Sequence, residues 1–329
     1  MLNLRGLEVF LAAAESENFS LAARRLNLSQ PAVTQQIQAL ERELGLQLFR
    51  RNGRRVKLSE AGQTLVPLAQ DLIRHCKRVE ETISSLSGQV VGHLIIDCST
   101  TSGRYVLPGL LARFREQYPA VRATVNIRSR RLAIEQLLAG EAHITCTSAR
   151  VERQGLKYQR FFEDEVVLIA PANHPWARRT AVKPVELLEE NLVLREEESG
   201  TYRAVAKVLE EHDIMPDQLR VVMTLGSSEA IIMAVEEGIG LGFVPRIAAH
   251  RCVTSQRIVE IPLVGIDMRY TIYMACCCTR PATTAQARFW EFVQEPENQR
   301  LMHPENLLLQ TRKTATETAP TTAKLAPAG

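Results

Sequence analysis

Ser29-Gln30-Pro31-Ala32-Val33-Thr34-Gln35-Gln36-Ile37-Gln38-Ala39-Leu40-Glu41-Arg42-Glu43-Leu44 is the stretch on which the reading of this chain turns. Ser29 supplies a hydroxyl N-cap and Pro31 falls in the first turn, where a missing N–H costs nothing, so the spacing predicts a helix from Ser29 to about Leu44. Val33, Ile37, Leu40 and Leu44 share one apolar stripe. The same period puts Gln30, Thr34 and Gln38 on the opposite side with Gln35 beside them, and these side chains match the hydrogen-bonding edges of bases in a major groove.

Working outward, Ser20 to Leu26 reads as a shorter helix carrying Leu21, Ala22 and Leu26 inward, with a small Ala22-Ala23 pair that permits a close helix crossing. Downstream, Leu48 to Leu58 reads as two short strands around Asn52-Gly53, a strong hairpin signal, and Arg50, Arg51, Arg54, Arg55 and Lys57 make it basic. A polar helix face or a basic hairpin alone is compatible with plain solvated surface. Together and in this order they point to DNA, with Ser29, Gln30, Pro31, Thr34, Gln35 and Gln38 on the reading helix and Arg50, Arg51 and Arg54 on a phosphate-gripping wing. Charge agrees: the net +3 of the chain is already present in residues 1–60, so the positive excess is confined to one end.

The stretch Phe19 to Gln38, followed by ALERELGLQLFRR and RRVKLSEAG, resembles the amino-terminal domain of LysR-type transcriptional regulators. Ser29, Gln30, Pro31, Ala32, Val33, Gln36, Ile37, Ala39, Leu40, Glu41, Leu48, Phe49 and Arg51 carry the likeness, which departs at Gln35, where arginine is common in the family. Glutamine favours adenine geometry and arginine guanine, so the departure bears on base preference. The resemblance continues through Tyr105-Val106-Leu107-Pro108, Gly226-Ser227-Ser228-Glu229-Ala230-Ile231 and Gly238-Ile239-Gly240-Leu241-Gly242-Phe243-Val244-Pro245.

Ser59 is placed to cap a long helix to about Ser87, in which Leu65, Leu68, Leu72, Cys76, Val79, Ile83 and Leu86 recur at spacings of three and four. That is a heptad seam; it fits an ordinary core-facing helix and, flanked as it is by the wing and a Ser-Gly boundary, it favours a dimerising linker. From Gly92 short β-rich runs alternate with amphipathic helices, the pattern of an α/β domain. Strands are expected at 93–99, 123–127, 143–147, 165–170, 192–195, 219–224, 241–244, 258–261 and 270–278. The resemblance implies two subdomains of this α/β region, folded like a periplasmic solute-binding protein around a cleft. The expected organisation is a winged helix-turn-helix domain at 1–59 (helix-turn-helix at 19–38), a linker helix at 60–89, an effector-binding domain at 90–296, and a largely disordered extension at 297–329.

Four hydroxyl clusters stand where a strand gives way to a helix: Thr100-Thr101-Ser102, Ser129, Ser199-Gly200-Thr201 and Ser227-Ser228. Each fits a simple N-cap. In an α/β sheet, however, the strand carboxyl ends share an edge, so such caps converge and make an anion site. The resemblance points to the same positions for an effector, giving Thr100, Thr101, Ser102, Ser129, Thr147, Thr201, Ser227 and Ser228 as candidate ligands of a small anion. Arg104, Arg128, Arg130 and Arg203 are near in sequence and of the complementary charge.

Other chemistry finds little support. Gly238 to Gly242 follows a helix and leads into a strand, the reverse of a phosphate loop, and reads as a C-cap with close packing. No G-x-S-x-G elbow, H-E-x-x-H or lysine-bearing P-loop occurs, so the expectation is not an enzyme. Seven cysteines without C-x-x-C and seven histidines without ligand spacing predict no metal and no cofactor, and the Cys276-Cys277-Cys278 run reads as strand. With no apolar run near ~20 residues and no signal-like start, a cytoplasmic protein is expected.

The reading is thus a bacterial regulator binding double-stranded promoter DNA as a homodimer or dimer of dimers, with RNA polymerase and a small-molecule effector as partners and no membrane. Its effector-domain motifs look nearest to family members governing inorganic carbon, sulfur or nitrogen assimilation. The competing reading is a solute-binding or small-molecule enzyme domain fused to a basic head.

Overall fold

A computed structural model describes residues 2–52, 55–86, 90–302 and 306. The chain divides into two compact units, Met1–Gly88 and Gln89–Gly329.

The first unit opens with helices α1 (Leu4–Ser16), α2 (Phe19–Arg25) and α3 (Gln30–Leu44), each with a side-chain cap. Asn18 Oδ1 accepts from the Ser20 and Leu21 amides at 2.8 and 3.1 Å, which starts α2 one residue before the expected Ser20. Ser29 Oγ accepts from the Ala32 amide at 3.3 Å, and Gly45 at φ +69° ends α3 in the left-handed conformation that glycine adopts without a Cβ penalty. Strands β1 (Phe49–Asn52) and β2 (Arg55–Leu58) pair antiparallel from Phe49↔Leu58 to Asn52↔Arg55. Glu41 of α3 accepts from the Leu48 and Phe49 amides at 2.7 and 3.3 Å, so α3 itself pins the hairpin. Phe49 anchors the joint in the core, its ring 5.6 Å from Phe10 and 5.3 Å from Phe19.

Ser59 then donates to the Gln47 carbonyl at 2.6 Å and accepts from the Gly62 amide at 3.0 Å, starting α4 (Glu60–Leu86) against the hairpin. A Cβ on Gly62 would lie 2.2 Å from the Leu48 carbonyl oxygen, so only glycine allows this approach. Ala69 is buried, and Leu65 and Ile73 pack on the head's core, but Leu68, Leu72, Val79 and Ile83 are 56, 43, 61 and 62 % exposed.

The second unit runs β3 (Gly92–Cys98), a π-helical turn Ser102–Val106 continuing into α5 (Leu107–Gln117), β4 (Val121–Ile127), α6 (Arg130–Ala139), β5 (Ile144–Thr147) and β6 (Leu156–Pro171). It continues β7 (Asn191–Arg195), α7 (Gly200–Glu210), β8 (Arg220–Leu225), α8 (Ser228–Glu236), β9 (Leu241–Pro245), α9 (Arg246–Thr254), β10 (Ile258–Ile261), β11 (Arg269–Cys277), α10 (Thr284–Gln294) and α11 (Pro296–Leu301). The strand order is β4-β3-β5-β11-β6-β9-β7-β8, with β10 also on β6. β3 lies parallel between β4 and β5, and β7 lies parallel between β8 and β9, which makes two lobes. β6 and β11 pair antiparallel from Arg269↔Glu165 to Cys277↔Leu156, with a register shift between Ile272 and Tyr273, and they serve both lobes.

Each lobe has its own core. Leu94, Ile96, Phe114, Ile144 and Phe289 fill the first, while Trp176, Leu192, Leu209 and Phe243 on one sheet face and Ile169, Val193, Ile231 and Val244 on the other fill the second. The glycines at 240 and 242 are packing residues: added Cβ atoms would come 2.4 Å from the Asn191 carbonyl oxygen and 2.4 Å from Ile231 Cγ2. The segment after residue 296, expected to be largely disordered, begins with α11, which buries Asn298 and places Met302 in the first lobe's core. Among the described residues no helix is long and apolar enough to cross a membrane.

Candidate effector cleft and DNA-reading face

On the head, the apolar stripe of α3 is turned inward, with Val33, Ile37 and Leu40 buried. Its other side carries exposed Ser29, Gln30, Pro31, Gln35 and Gln38 and half-buried Thr34. The Thr34 hydroxyl donates to the Gln30 carbonyl at 3.1 Å, which leaves its oxygen free to accept from outside. Arg50 is exposed on β1; Arg51 falls in the same strand, and Arg54 lies outside the described residues. No carboxylate is among the residues proposed for this face, and its polar groups project from a helix held rigid by the core beneath it.

In the second unit, β3, β4 and β7 all end at one place, and the helix that follows each starts there with a hydroxyl. Ser129 Oγ caps α6 by accepting from the Leu132 amide at 3.4 Å, and Ser199 Oγ caps α7 by accepting from the Tyr202 amide at 3.0 Å. After β3 the chain turns helical at Thr100 and passes through the π turn; such turns recur at functional sites because they re-aim side chains. Gly103 fits this turn closely against its neighbours: a Cβ there would lie 3.0 Å from Cys98 Sγ and 3.1 Å from Ile127 Cγ1, so both side chains would have to give way slightly.

The three helix starts enclose a cavity of about 220 Å³ lined by Ser99, Thr100, Thr101, Ser129, Thr147 and Thr201 among others. Ligand pockets for drug-sized molecules occupy about 300–1,000 Å³, so this one suits a smaller metabolite. Helix N-termini present unpaired N–H groups and the positive end of the dipole, so their convergence favours negative charge. Arg128, Arg130 and Arg195 also line the cavity, together with Glu196 and Glu198. Arg128 is paired with buried Asp97 at 2.9 Å, and Arg195 binds Glu196 through two contacts of 2.8 Å, leaving its Nη1 3.4 Å from Ser228 Oγ. The guanidiniums are therefore oriented before any ligand arrives.

Not every candidate hydroxyl reaches the cavity. Ser102 is fully buried, 3.2 Å from Ser99 Oγ, and Ser227 caps α8 by accepting from the Ala230 amide at 3.1 Å. Ser228 is buried behind Arg195, so it acts on the cavity through that side chain. Arg104 is turned away to pair with Glu229 of α8 at 2.7 Å, a bond between the lobes that Tyr105 doubles by donating to the same carboxylate at 2.8 Å. Arg203 bonds the Glu197 carbonyl and does not line the cavity. Sequence reading missed Arg195, Ser148 and Tyr270, which line it. An isolated arginine at a strand end carries no local signal, although Arg195 closes β7 just ahead of the Ser199-Gly200-Thr201 cap.

Residues 4–63 match the family described as bacterial regulatory helix-turn-helix protein, lysR family, and residues 87–296 match the LysR substrate binding domain. A probable RuBisCO transcriptional regulator of Synechocystis sp. is 30% identical over 304 residues, covering 92% of this chain and 87% of that protein. The RuBisCO operon transcriptional regulator of Allochromatium vinosum is 30% identical over 292 residues, covering 89% and 95%. Among solved structures, full-length CbnR in complex with its target DNA matches with a TM-score of 0.67 at 23% identity over 89% of this chain and 99% of that one. Corynebacterium glutamicum OxyR matches with a TM-score of 0.60 at 21% identity over 99% and 98%. Those two structures support the fold, and the matched families cover both units. A helix-turn-helix head with a basic hairpin, a long helix after it and a two-lobed α/β unit with a cleft: the chain belongs to the LysR family of DNA-binding transcriptional regulators, and it is a regulator rather than an enzyme.

Proposed function

We propose that the cleft takes a small anionic effector, held by Thr100, Thr101, Ser129, Thr147 and Thr201, with Ser102, Ser227 and Ser228 supporting from behind. The single observation that carries this is the convergence of three hydroxyl-bearing helix starts on one cavity of about 220 Å³. The oriented Arg128 and Arg195 add to it. A thermal-shift series of small dicarboxylates, phosphate esters and sulfate tests the reading: at least one should stabilise the wild type, and Thr100→Ala and Ser129→Ala should each abolish most of that stabilisation. Equal stabilisation of both variants and the wild type would reduce these residues to caps.

On the DNA side, Gln30, Thr34, Gln35 and Gln38 read bases while Arg50, Arg51 and Arg54 grip the phosphates, and Ser29 and Pro31 start the reading helix at the same face. The chain acts as a homodimer or dimer of dimers through the exposed seam of α4, in the compartment that holds the promoter, and RNA polymerase is the partner that reads the outcome. The relatives named as RuBisCO regulators support target genes in carbon assimilation. Effector binding would favour one closure of the lobes and so one spacing of the heads.

A further inference from the structure

Behind the cavity runs a chain of hydrogen bonds that ends in a buried carboxyl. Tyr270 of β11 lines the cavity and stands opposite Asp164 of β6 in the strand register. Its hydroxyl donates to Asp164 Oδ2 at 3.3 Å, and the Thr101 side chain, which lines the cavity beside it, stands close enough to act on the same phenol as a hydrogen-bond donor. A phenol has one hydrogen. Because that hydrogen is committed to Asp164, Thr101 must supply the hydrogen of its own bond to Tyr270, and the Thr101 oxygen then turns only lone pairs toward the cavity. An anion brings only acceptors. With Asp164 ionised, this corner of the cleft repels the ligand that the rest of it attracts.

We infer that anion binding in the cleft is coupled to uptake of one solvent proton by Asp164, which reverses the direction of the Thr101–Tyr270–Asp164 chain. Asp164 Oδ1 is occupied by the Glu165 amide at 2.9 Å, so the added proton resides on Oδ2 and is donated to the Tyr270 oxygen. Tyr270 in turn rotates its hydrogen to Thr101 Oγ1, and Thr101 points its own hydrogen at the ligand. One O–H bond forms, at Asp164, and the other two hydroxyls only rotate. The inference rests on the reading of the cleft as an anion site.

The surroundings of Asp164 suit such a role. It is 7 % exposed, and burial raises its carboxyl to about 7, against the opposing pull of the Glu165 and Ile247 amides, Tyr270 and Arg246. From α9, Arg246 faces it but is bonded to Glu165 of β6 and Glu260 of β10. From β11 comes Tyr270, itself pushed well up by burial and by Asp164. Arg195 of β7 acts on Tyr270 while paired to Glu196, and Glu229 of α8 is taken by Arg104 and Tyr105. Arg246, Arg195 and Glu229 thus each have an opposite charge in contact, whereas Asp164 is held by hydrogen-bond donors, with the Arg246 charge shared with two other carboxylates.

The experiment is isothermal titration of the full-length protein with sulfate, whose charge is constant from about pH 5.5 to 8.5, in buffers of different ionisation enthalpy. The expected results are net proton uptake on binding and an affinity that falls as pH rises, approaching about tenfold per pH unit above the Asp164 midpoint. Asp164→Asn and Tyr270→Phe should both bind sulfate with a flat pH profile and no proton uptake, the first at the wild type's low-pH affinity. A flat wild-type profile, or a slope that survives in Asp164→Asn, overturns the coupling. Sulfate binding that is absent at every pH, or equal in wild type and Thr100→Ala, instead overturns the anion reading and the coupling with it.

Discussion

At the residue scale the molecule depends on which way single groups donate. On α3, Gln35 stands where family members commonly carry arginine, and an exposed carboxamide can both donate to and accept from adenine. Gln35→Ala is expected to relax preference at one base step by ~1–3 kcal/mol, whereas Arg50→Ala should weaken binding to all sequences and reduce the salt slope by about one unit. A binding-site selection run with each variant at several salt concentrations separates the two outcomes. Asp164 carries a second residue-scale prediction. A carboxyl with a higher pKa folded than unfolded stabilises the folded state fully below about pH 4, and that contribution disappears as pH rises through its folded value. With that value at about 7, the effector unit should lose stability as pH rises from about 4 to about 7 and level off above that, by on the order of 4 kcal/mol over the whole window at most. Urea denaturation across this range should show the slope in wild type and a flatter profile in Asp164→Asn.

At the element scale, two surfaces are built and left open. Leu68, Leu72, Val79 and Ile83 keep heptad spacing on α4 and are exposed, although fully burying a side chain of this kind stabilises by about 1.5–3 kcal/mol. Leu72→Asp with Val79→Asp places charges in that seam, and light scattering over a dilution series should show dissociation at concentrations where the wild type stays assembled. Across the cleft, Gly200 at the start of α7 meets the loop after β5 so closely that an added Cβ would lie 2.3 Å from Ser148 Oγ and 2.9 Å from Ser148 Cβ. Gly200→Ala should therefore hold the lobes apart and cost about tenfold in anion affinity, about 1.4 kcal/mol, and adding Ser148→Gly should restore it. Recovery in the double variant distinguishes spacing from loss of a cap.

The same scale explains what was legible in the sequence. Periodicity found α3, whose apolar stripe is buried, while the Asn52-Gly53 step found the hairpin and short β-rich runs found the strands of the lobes. Periodicity missed the first half of β6, residues 156–163, where Lys157, Gln159, Arg160 and Glu163 interrupt the apolar pattern of a strand that runs between lobes. Hydroxyls at strand ends were legible as caps because cap chemistry is local. Their convergence was legible from the shared edge of an α/β sheet, but which of them reach the cavity needed the sheet order, and the pairing of Tyr270 with Asp164 spans 106 residues, so no local pattern encodes it. Likewise nothing in the sequence near Ser227 says that α8 starts off the cavity wall, or that Arg195 stands between Ser228 and the cavity.

At the scale of the whole molecule, a head that reads DNA and a two-lobed unit that encloses a cavity share one chain, and the lobes are tied by Arg104 and Tyr105 to Glu229. Against the upward push of burial, its own backbone amide, Tyr105 and Arg104 together hold the Glu229 carboxyl below its usual range, so the tie persists through neutral pH. Glu229→Gln should loosen closure and blunt the effect of an anion on DNA binding while leaving the affinity of the unliganded protein for DNA unchanged, as a mobility-shift titration with and without the stabilising anion would record. A crystal structure of the protein with the anion that gives the largest thermal shift shows whether the effector sits where the three helix starts converge. Density is expected among Thr100, Ser129 and Thr201, with the Thr101 oxygen within hydrogen-bonding distance; density elsewhere on the protein with this cavity unchanged would put the effector site outside the cleft.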